Sequence, residues 1–244
     1  AVQASLAGTE TRFTVDAPLV GPGVTARLEG QGQLTADPSF RATLAVPEFT
    51  ISTSQGWVLG LANFGGAEFA ATLAAQASLR WSTRRTSLSL TAKLRDGEAT
   101  LPDQAGQIKG IETELALSML PTIRSRPRQR LHFAAARFGQ IEFGQGDILF
   151  SLDSPQQLFV EKALVDWCGG QLEAYALRFD AEQTDIEATV YARELDVARF
   201  VSLFPDTKAS GKGRLYGRIP ASFKQGKIGY GDRKSTRLNS SHRI

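Results

Sequence analysis

Several residue types that build common active and binding sites are scarce in this chain of 244 residues. Cysteine occurs once, at Cys168, which excludes an intrachain disulfide. Histidine occurs twice, at His132 and His242, so a metal site built from several His and Cys ligands is not expected. No run of about 18 apolar residues occurs, and no signal-peptide pattern is present. The composition therefore predicts neither a membrane-spanning helix nor a metal centre, and it favours no cofactor.

An excess of charge is also missing from most of the chain. The formal net charge is +3, but the tail from Asp232 onward carries four basic residues and one acidic residue, which leaves 24 of each sign in the rest. A neutral body gives no electrostatic reason to expect a nucleic-acid partner.

The tail is unlike the rest of the chain. Residues 232–242 read "DRKSTRLNSSH", which looks like the translation of a DNA sequencing adapter joined to a truncated gene. We expect residues 1–231 to form one β segment that is a fragment of a longer chain, and residues 232–244 to be an artefactual, disordered tail.

What the sequence has in abundance is alternation of apolar and polar residues. Long stretches with a period of two begin at Val24, Phe40, Phe69, Leu88, Ile111 and Ile186, and this period is typical of strands with one buried face. Pro47 is expected to close the second stretch, and Asp96-Gly97 is expected to form a hairpin turn. About fifteen strands joined by short connections favour an antiparallel meander over βαβ units.

One segment has a helical period instead. Val197, Phe200, Val201 and Phe204 recur at i, i+3, i+4 and i+7, and Asp196 is in position to cap the N-terminus. The predicted fold is all-β: an elongated, curved antiparallel sheet, either an open groove or a partly closed sandwich, with this one short helix.

The remaining polar clusters favour structural roles over chemistry. His132 has no second ligand nearby, Cys168 has no base nearby, and carboxylates fall on polar strand faces. The alternate arginines of "RSRPRQR" from Arg124 to Arg130 indicate a solvated loop or, as the alternative, a contact with anionic lipid headgroups. No catalytic motif is found, and an enzyme is not expected.

The apolar strand faces are the remaining candidate for a functional surface. They pack against each other in a sealed sandwich, or they stay partly open and solvate acyl chains; alternation alone allows both. For an open groove we expect lipid contacts from Val24, Leu28, Leu34, Leu73, Leu79, Leu88, Leu90, Leu115, Leu117, Ile186, Val190 and Phe200.

The region from Leu158 to Tyr230 resembles the C-terminal region of the YdbH family, whose domain is also called a dicarboxylate transport domain and which is grouped with AsmA-like and TamB-like proteins. The resemblance is carried by three segments: "DWCGGQLEAY", "YARELDVARFVSLFP" and "ASGKGRLYGRIPASFKQGKIGYGD".

The resemblance implies an antiparallel β structure with an apolar groove that moves phospholipid between the inner and outer membranes of Gram-negative bacteria. It also implies a periplasmic location, with an inner-membrane anchor in the full-length protein, and it leaves room for envelope proteins as partners. Two alternatives stay open: a structural β scaffold and a fragment of an outer-membrane β-barrel, although Trp57, Trp81 and Trp167 do not form the aromatic girdles of such a barrel.

Overall fold

The computed structural model describes residues 5–9, 12–21, 24–53, 67–102, 106–120, 122–180, 186–203, 210–224 and 227–230. Within these ranges the chain forms seventeen β-strands of one sheet and a single short helix, which confirms the predicted fold class. The N-terminal strands are β1 (Ser5–Thr9), β2 (Arg12–Gly21), β3 (Val24–Gln33), β4 (Ser39–Ser52), β5 (Glu68–Ser82), β6 (Thr86–Thr100) and β7 (Gly106–Ser118).

Four short strands follow β7 and precede a second set of long ones. The short strands are β8 (Arg124–Ser125), β9 (Gln129–Phe133), β10 (Ala135–Phe138) and β11 (Ile141–Phe143). The rest of the chain forms β12 (Gly146–Ser154), β13 (Gln157–Trp167), β14 (Gly170–Asp180), β15 (Ile186–Asp196), α1 (Val197–Ser202), β16 (Arg214–Lys224) and β17 (Lys227–Tyr230).

The long strands pair antiparallel with their neighbours in chain order, as short connections predict. The strands β8, β9 and β10 line up along one side of β7, each pairing with a different part of it. The pairing of β9 with β12 then connects this half of the sheet to the meander from β12 to β17. The segment from Arg124 to Arg130, expected to be a solvated loop, therefore lies largely in β8 and β9 inside the sheet.

The sheet is open at its two ends, because β1 pairs with β2 and β17 pairs with β16 as terminal strands. Strand residues in the described ranges are mostly half-buried or exposed rather than buried.

Two predicted turn signals are β-bulges in the structure, and both predictions were wrong. Strand β4 continues through Pro47 to Ser52, with a register shift between Val46 and Phe49. A bulge leaves Pro47 outside the ladder, where its missing N–H costs no hydrogen bond. Strand β6 likewise runs through Asp96, whose φ of 50° and following register shift mark a bulge. The αL conformation that suits Asp and Gly in hairpin turns also suits a bulge.

The sequence "DWCGG" forms a hairpin turn between β13 and β14. Trp167 pairs with Gly170, and the two residues between them both have positive φ, 46° at Cys168 and 71° at Gly169. This is the backbone of a two-residue turn between twisted antiparallel strands. Cys168 is thus a half-buried turn residue rather than a core residue.

The helix begins where the sequence predicts. Asp196 Oδ1 accepts a hydrogen bond from the Arg199 backbone N–H at 3.1 Å and so caps α1. This backbone hydrogen bond lowers the pKa of Asp196 below its ordinary value. Phe204 and Pro205, predicted to end the helix, lie outside the described residues. In the described part of the chain, no helix has the length and apolar character needed to cross a bilayer.

Candidate functional site

The strand registers place the apolar residues of the N-terminal half on one face, because directly opposed residues in an antiparallel ladder point the same way. One row across the sheet is Val15, Gly30, Ala42, Leu79 and Leu88. The next row is Ala17, Leu28, Leu44, Ala77, Leu90 and Leu117. We call this surface, with its continuation below, the apolar face.

The apolar face continues into the C-terminal half. One row runs through Phe133, Gly146, Val165, Leu172, Ala192 and Gly217. A second row runs through Leu131, Ile148, Ala163, Ala174, Val190 and Ile219. Leu131 pairs with Thr113 of β7, so the two halves form a single surface.

Most of this face is only half-buried. Leucines 79, 88, 90, 115 and 117 all retain partial exposure. Among the described residues, ten hydrophobic side chains are buried and six of them are alanines, while Leu195 is the one large side chain with essentially no exposure. A sealed sandwich of this size would bury many of its large side chains. The apolar face is therefore a wide, incompletely covered surface of the kind that marks a ligand or partner site.

Aromatic rings cover glycines on this face. Phe13, Phe133 and Phe138 each pair directly with a glycine, at Gly32, Gly146 and Gly106 respectively. A Cβ at Gly146 would lie 2.2 Å from Phe133 Cζ, and one at Gly32 would lie 2.3 Å from Phe13 Cζ. The rings occupy the space that a side chain on the neighbouring strand would fill, and they line the face with hydrocarbon.

A cavity of about 260 Å³ lies on the apolar face of the C-terminal half. Its walls include Phe133, Phe138, Phe143, Val165, Leu172 and Val190. The one charged residue in its wall is Glu173, whose carboxylate is held by Arg193 Nε at 3.1 Å and accepts a hydrogen bond from the Tyr175 hydroxyl. This hydrogen bond raises the pKa of Tyr175. The cavity is suited to a hydrocarbon segment rather than to a polar ligand.

The helix closes an aromatic cluster next to this cavity. Phe200 meets the Trp167 ring edge-on with centroids 5.6 Å apart, and Trp167 stacks on Phe143 at 5.9 Å. Phe143 in turn contacts Phe138 edge-on at 6.1 Å. Trp167 lies two residues after Val165 on the same strand and so on the same face. Phe200 therefore packs on the apolar face through its contact with Trp167.

The opposite face is polar and carries ion pairs. Lys93 Nζ contacts Glu114 at 3.2 Å, and Arg130 Nη2 contacts Asp147 Oδ1 at 2.6 Å. The His132 ring lies 3.3 Å from the same Asp147 oxygen. Burial raises the pKa of Asp147, but the hydrogen bonds from Arg130 and His132 outweigh it and leave the pKa below its ordinary value. Within the described ranges, no group of His, Cys, Asp and Glu is placed to hold a metal ion.

Eight of the twelve predicted lipid-contact residues lie on the apolar face: Leu28, Leu73, Leu79, Leu88, Leu90, Leu115, Leu117 and Val190. Val24 and Ile186 occupy matching register positions, but their side chains lie outside the described part. Phe200 lies on α1. Leu34 follows the end of β3 and is 62% exposed, so it does not extend the strand face as predicted. Contact with lipid stays a prediction for all of them.

The sequence interpretation missed the aromatic part of the face, namely Phe133, Phe138 and Phe143. They lie on or next to strands of three to five residues, which are too short to show a period. The signal that marks this region is the close spacing of Phe and Gly between residues 133 and 146, of which Phe133 and Gly146 pair across strands.

Comparison with known proteins identifies a family. Residues 3–229 match the YdbH-like family model, described as intermembrane phospholipid transport protein YdbH, and the chain belongs to this family. The match extends well beyond the segment from Leu158 to Tyr230 that carries the resemblance. No curated protein and no solved structure matches the chain.

Proposed function

We propose that this member of the YdbH-like family is a non-catalytic conduit, whose apolar face carries the acyl chains of phospholipids between the inner and outer membranes. The observation that supports the proposal most is the combination of continuity and openness. Apolar rows run in register across β2 to β7 and across β9 to β16, the two sets meet where Thr113 pairs with Leu131, and yet most of their large side chains remain half-exposed. An acyl chain lying on this face would cover the apolar surface that the sheet leaves to solvent.

The location follows from the same role. A chain that passes lipid between two membranes works in the periplasm, and we propose that the full-length protein is anchored in the inner membrane. The family places the protein in envelope lipid transport; the anchor and any protein partners are part of the proposal.

Site-specific photo-crosslinking tests the conduit. The photoreactive amino acid benzoylphenylalanine is placed at Leu115 or Leu117, which pair with Ala92 and Leu90 on the apolar face. The matched control is Glu114 on the same strand, whose side chain contacts Lys93 on the polar face. We expect phospholipid adducts, detected by mass spectrometry, from positions 115 and 117 and none from position 114.

Two results would contradict the proposal. Equal adducts from both faces would mean that lipid does not follow the apolar rows. An absence of adducts from all three positions in cells, with phospholipid present, would favour a structural sheet.

A further inference from the structure

Three of the four tyrosines of the chain lie together on the polar face of the C-terminal half. Tyr175, Tyr191 and Tyr216 belong to the adjacent strands β14, β15 and β16. Each of them directly precedes or follows a residue of the apolar rows, so its side chain points to the opposite face of the sheet. We call these three residues the tyrosine row.

The strand register sets the direction of the row. Tyr191 pairs with Glu173, which lies two residues before Tyr175 on β14. On its other side Tyr191 pairs with Arg218, which lies two residues after Tyr216 on β16. Successive tyrosines are therefore diagonal neighbours about 7–8 Å apart, and the row crosses three strands in one line. The planes of the Tyr175 and Tyr191 rings differ by 62°, so the rings form a twisted platform that suits a single extended polymer chain.

The rings of the tyrosine row are exposed to solvent. The exposed fraction is 40% for Tyr175, 37% for Tyr191 and 63% for Tyr216. Among the described side chains of β12 to β16, these three are the only large apolar ones that are exposed, and no aliphatic side chain accompanies them. The core of a protein–protein interface is apolar and poor in charged residues, whereas charged groups surround these rings. The row therefore suits a ligand that has apolar faces and polar edges.

The charged groups along the row are of both signs. Lys162 Nζ lies 5.7 Å from the centroid of the Tyr175 ring. Arg218 is exposed beside the middle tyrosine and forms no ion pair within the described part of the chain. At the other end of the row, Glu194 Oε1 accepts a hydrogen bond from the Tyr216 hydroxyl at 3.2 Å. Hydrogen-bond donors and an acceptor thus flank the exposed rings.

A β-bulge in β15 brings the acceptor to the row. Arg193 and Glu194 both lie opposite Tyr216, because two residues of β15 face one residue of β16 at this point. Glu194 has a φ of 54°, which is unfavourable for a residue with a side chain. Arg214 Nη1 supports this conformation by donating a hydrogen bond to the Glu194 carbonyl oxygen at 3.0 Å. Bulges that re-aim a side chain in this way occur next to functional sites.

Mixed donors and acceptors around exposed rings favour a ligand rich in hydroxyl groups, because a hydroxyl group both donates and accepts. Single-stranded nucleic acid also stacks on aromatic side chains, but it binds in positively charged grooves. Here Glu194 lies on the row, and Glu173, bonded to the Tyr175 hydroxyl, is buried beside it. A sugar ring has a C–H face that can lie on a tyrosine and hydroxyl groups around its edge. A β-1,4 linkage keeps a chain of such rings extended, as the line of tyrosines requires.

We infer that the tyrosine row binds a β-1,4-linked polysaccharide chain, with sugar rings stacked on the tyrosines and hydroxyl groups bonded to Arg218 and Glu194. The polysaccharide of the cell wall is the source of such a chain in the periplasm, and this part of the inference rests on the proposed location. The site lies on the face opposite to the proposed lipid path, so the two ligands do not compete. The protein thereby attaches to the layer that it has to cross between the two membranes.

Calorimetric titration of the whole chain with chitohexaose, a soluble β-1,4-linked oligomer of N-acetylglucosamine, tests the site. The variant Tyr216→Ala removes the most exposed ring of the row. The variant Tyr216→Phe retains the ring and removes only the hydroxyl that contacts Glu194. The matched control is Trp81→Ala, which removes an exposed ring from the apolar face of the N-terminal half. Maltohexaose, an α-1,4-linked oligomer that coils, is the control ligand.

We expect the unchanged protein to bind chitohexaose with a Kd below about 1 mM and to bind maltohexaose more weakly. Tyr216→Ala should weaken the binding of chitohexaose about tenfold, the ratio for one lost aromatic contact. Tyr216→Phe should weaken it less than about threefold, and Trp81→Ala should leave it unchanged. The melting temperature of Tyr216→Ala should stay close to that of the unchanged protein, because the ring is exposed. Absence of binding, equal binding of both oligomers, or an unchanged affinity in Tyr216→Ala would overturn the inference.

Three further measurements separate the other occupants of the row. Co-sedimentation with purified cell-wall polysaccharide should be strong for the unchanged protein and weak for Tyr216→Ala; chitohexaose binding without co-sedimentation would overturn the cell-wall assignment. Tighter binding of single-stranded oligothymidylate than of chitohexaose would assign the row to nucleic acid and overturn the inference. Self-association that Tyr216→Ala abolishes, measured by sedimentation velocity, would make the row an interface between copies and also overturn it.

The outcome is independent of the proposed conduit. If chitohexaose does not bind while Leu115 crosslinks to phospholipid, the polysaccharide site fails and the conduit stands. If chitohexaose binds and no position on the apolar face crosslinks, the polysaccharide site stands without the conduit.

Discussion

At the scale of single residues, glycines on the apolar face leave space for aromatic rings of the adjacent strands. Gly32, Gly106 and Gly146 lack a side chain where a phenylalanine of the next strand needs the space. Glycine weakens a strand because it has no side chain to pack and gains backbone freedom on unfolding. The cross-strand ring offsets this by covering the glycine with apolar surface, an arrangement used in several places on the sheet.

Gly146→Ala tests this arrangement. The new Cβ would meet the ring of Phe133, a side chain that is only 7% exposed and has little room to move. We expect the free energy of unfolding to fall by about 1–3 kcal/mol, as for other overpacked sites, measured by chemical denaturation.

Gly217→Ala is the matched control. A Cβ at Gly217 meets nothing within 4 Å, and the residue is not among those with positive φ. This variant should be neutral or slightly more stable, because alanine restricts the unfolded chain. A Gly146→Ala protein as stable as the control would show that the ring is not fixed over the glycine.

At the scale of elements, alternation predicted most long strands and which of their faces is apolar. The period of two belongs to each strand alone and does not depend on how the strand pairs with its neighbours. It did not predict where β4 and β6 would bulge. The dipeptide Asp96-Gly97 is compatible with a bulge as well as with a hairpin turn. Only the pairing of β6 with β5 and β7 distinguishes the two structures. The sequence did not predict the cross-strand pairs of phenylalanine with glycine for a similar reason, because these pairs depend on which residues face each other across strands.

Deletion of single residues from β6 tests the role of the bulge. Between Leu94 and Gly97 there are two residues, opposite one residue of β7 between Thr113 and Ile111. Removing Asp96 restores one residue opposite one, so Leu94 and Ala99 keep their face. We expect a folded protein with strand content close to the original, measured by circular dichroism.

Deletion of Thr91 is the comparison for this experiment. Thr91 lies in a regular part of the β6 ladder. Its loss shifts the alternation by one residue on one side of the deletion, so that leucines such as Leu90 move to the polar face and polar residues move to the apolar face. We expect loss of soluble, folded protein. If both deletions behave alike, the bulge does not set the register of β6.

At the scale of the whole molecule, the sheet has apolar rows like those of a hydrophobic core, but these rows are not buried as a core is. Each strand is stabilised mainly by its two neighbours, and the large side chains that would be sealed in a globular domain remain half-exposed. The family match and the open surface are consistent with one physical account, in which the cargo completes the hydrophobic surface. Such a protein should tolerate polar substitutions on its face far better than in its few sealed positions.

Leu117→Glu and Leu195→Glu measure that difference within one chain. Leu117 is half-exposed on the apolar face, whereas Leu195 has no exposed surface. We expect the substitution to lower the free energy of unfolding by about 1–2 kcal/mol at Leu117 and by at least about 4 kcal/mol at Leu195, because only the second carboxylate is held away from water. Leu117→Met, which keeps the apolar volume, should cost less than about 1.5 kcal/mol.

The two Leu117 variants should also differ in how strongly they bind lipid. In Leu117→Glu a folded protein carries a charge on the acyl path, so phospholipid should raise its melting temperature less than it raises that of the unchanged protein and of Leu117→Met. Differential scanning fluorimetry with and without monomeric phospholipid gives both quantities from one sample. Equal loss of stability at Leu117 and Leu195 would mean that the face is sealed, and an unchanged lipid response in Leu117→Glu would mean that lipid does not pass over this strand.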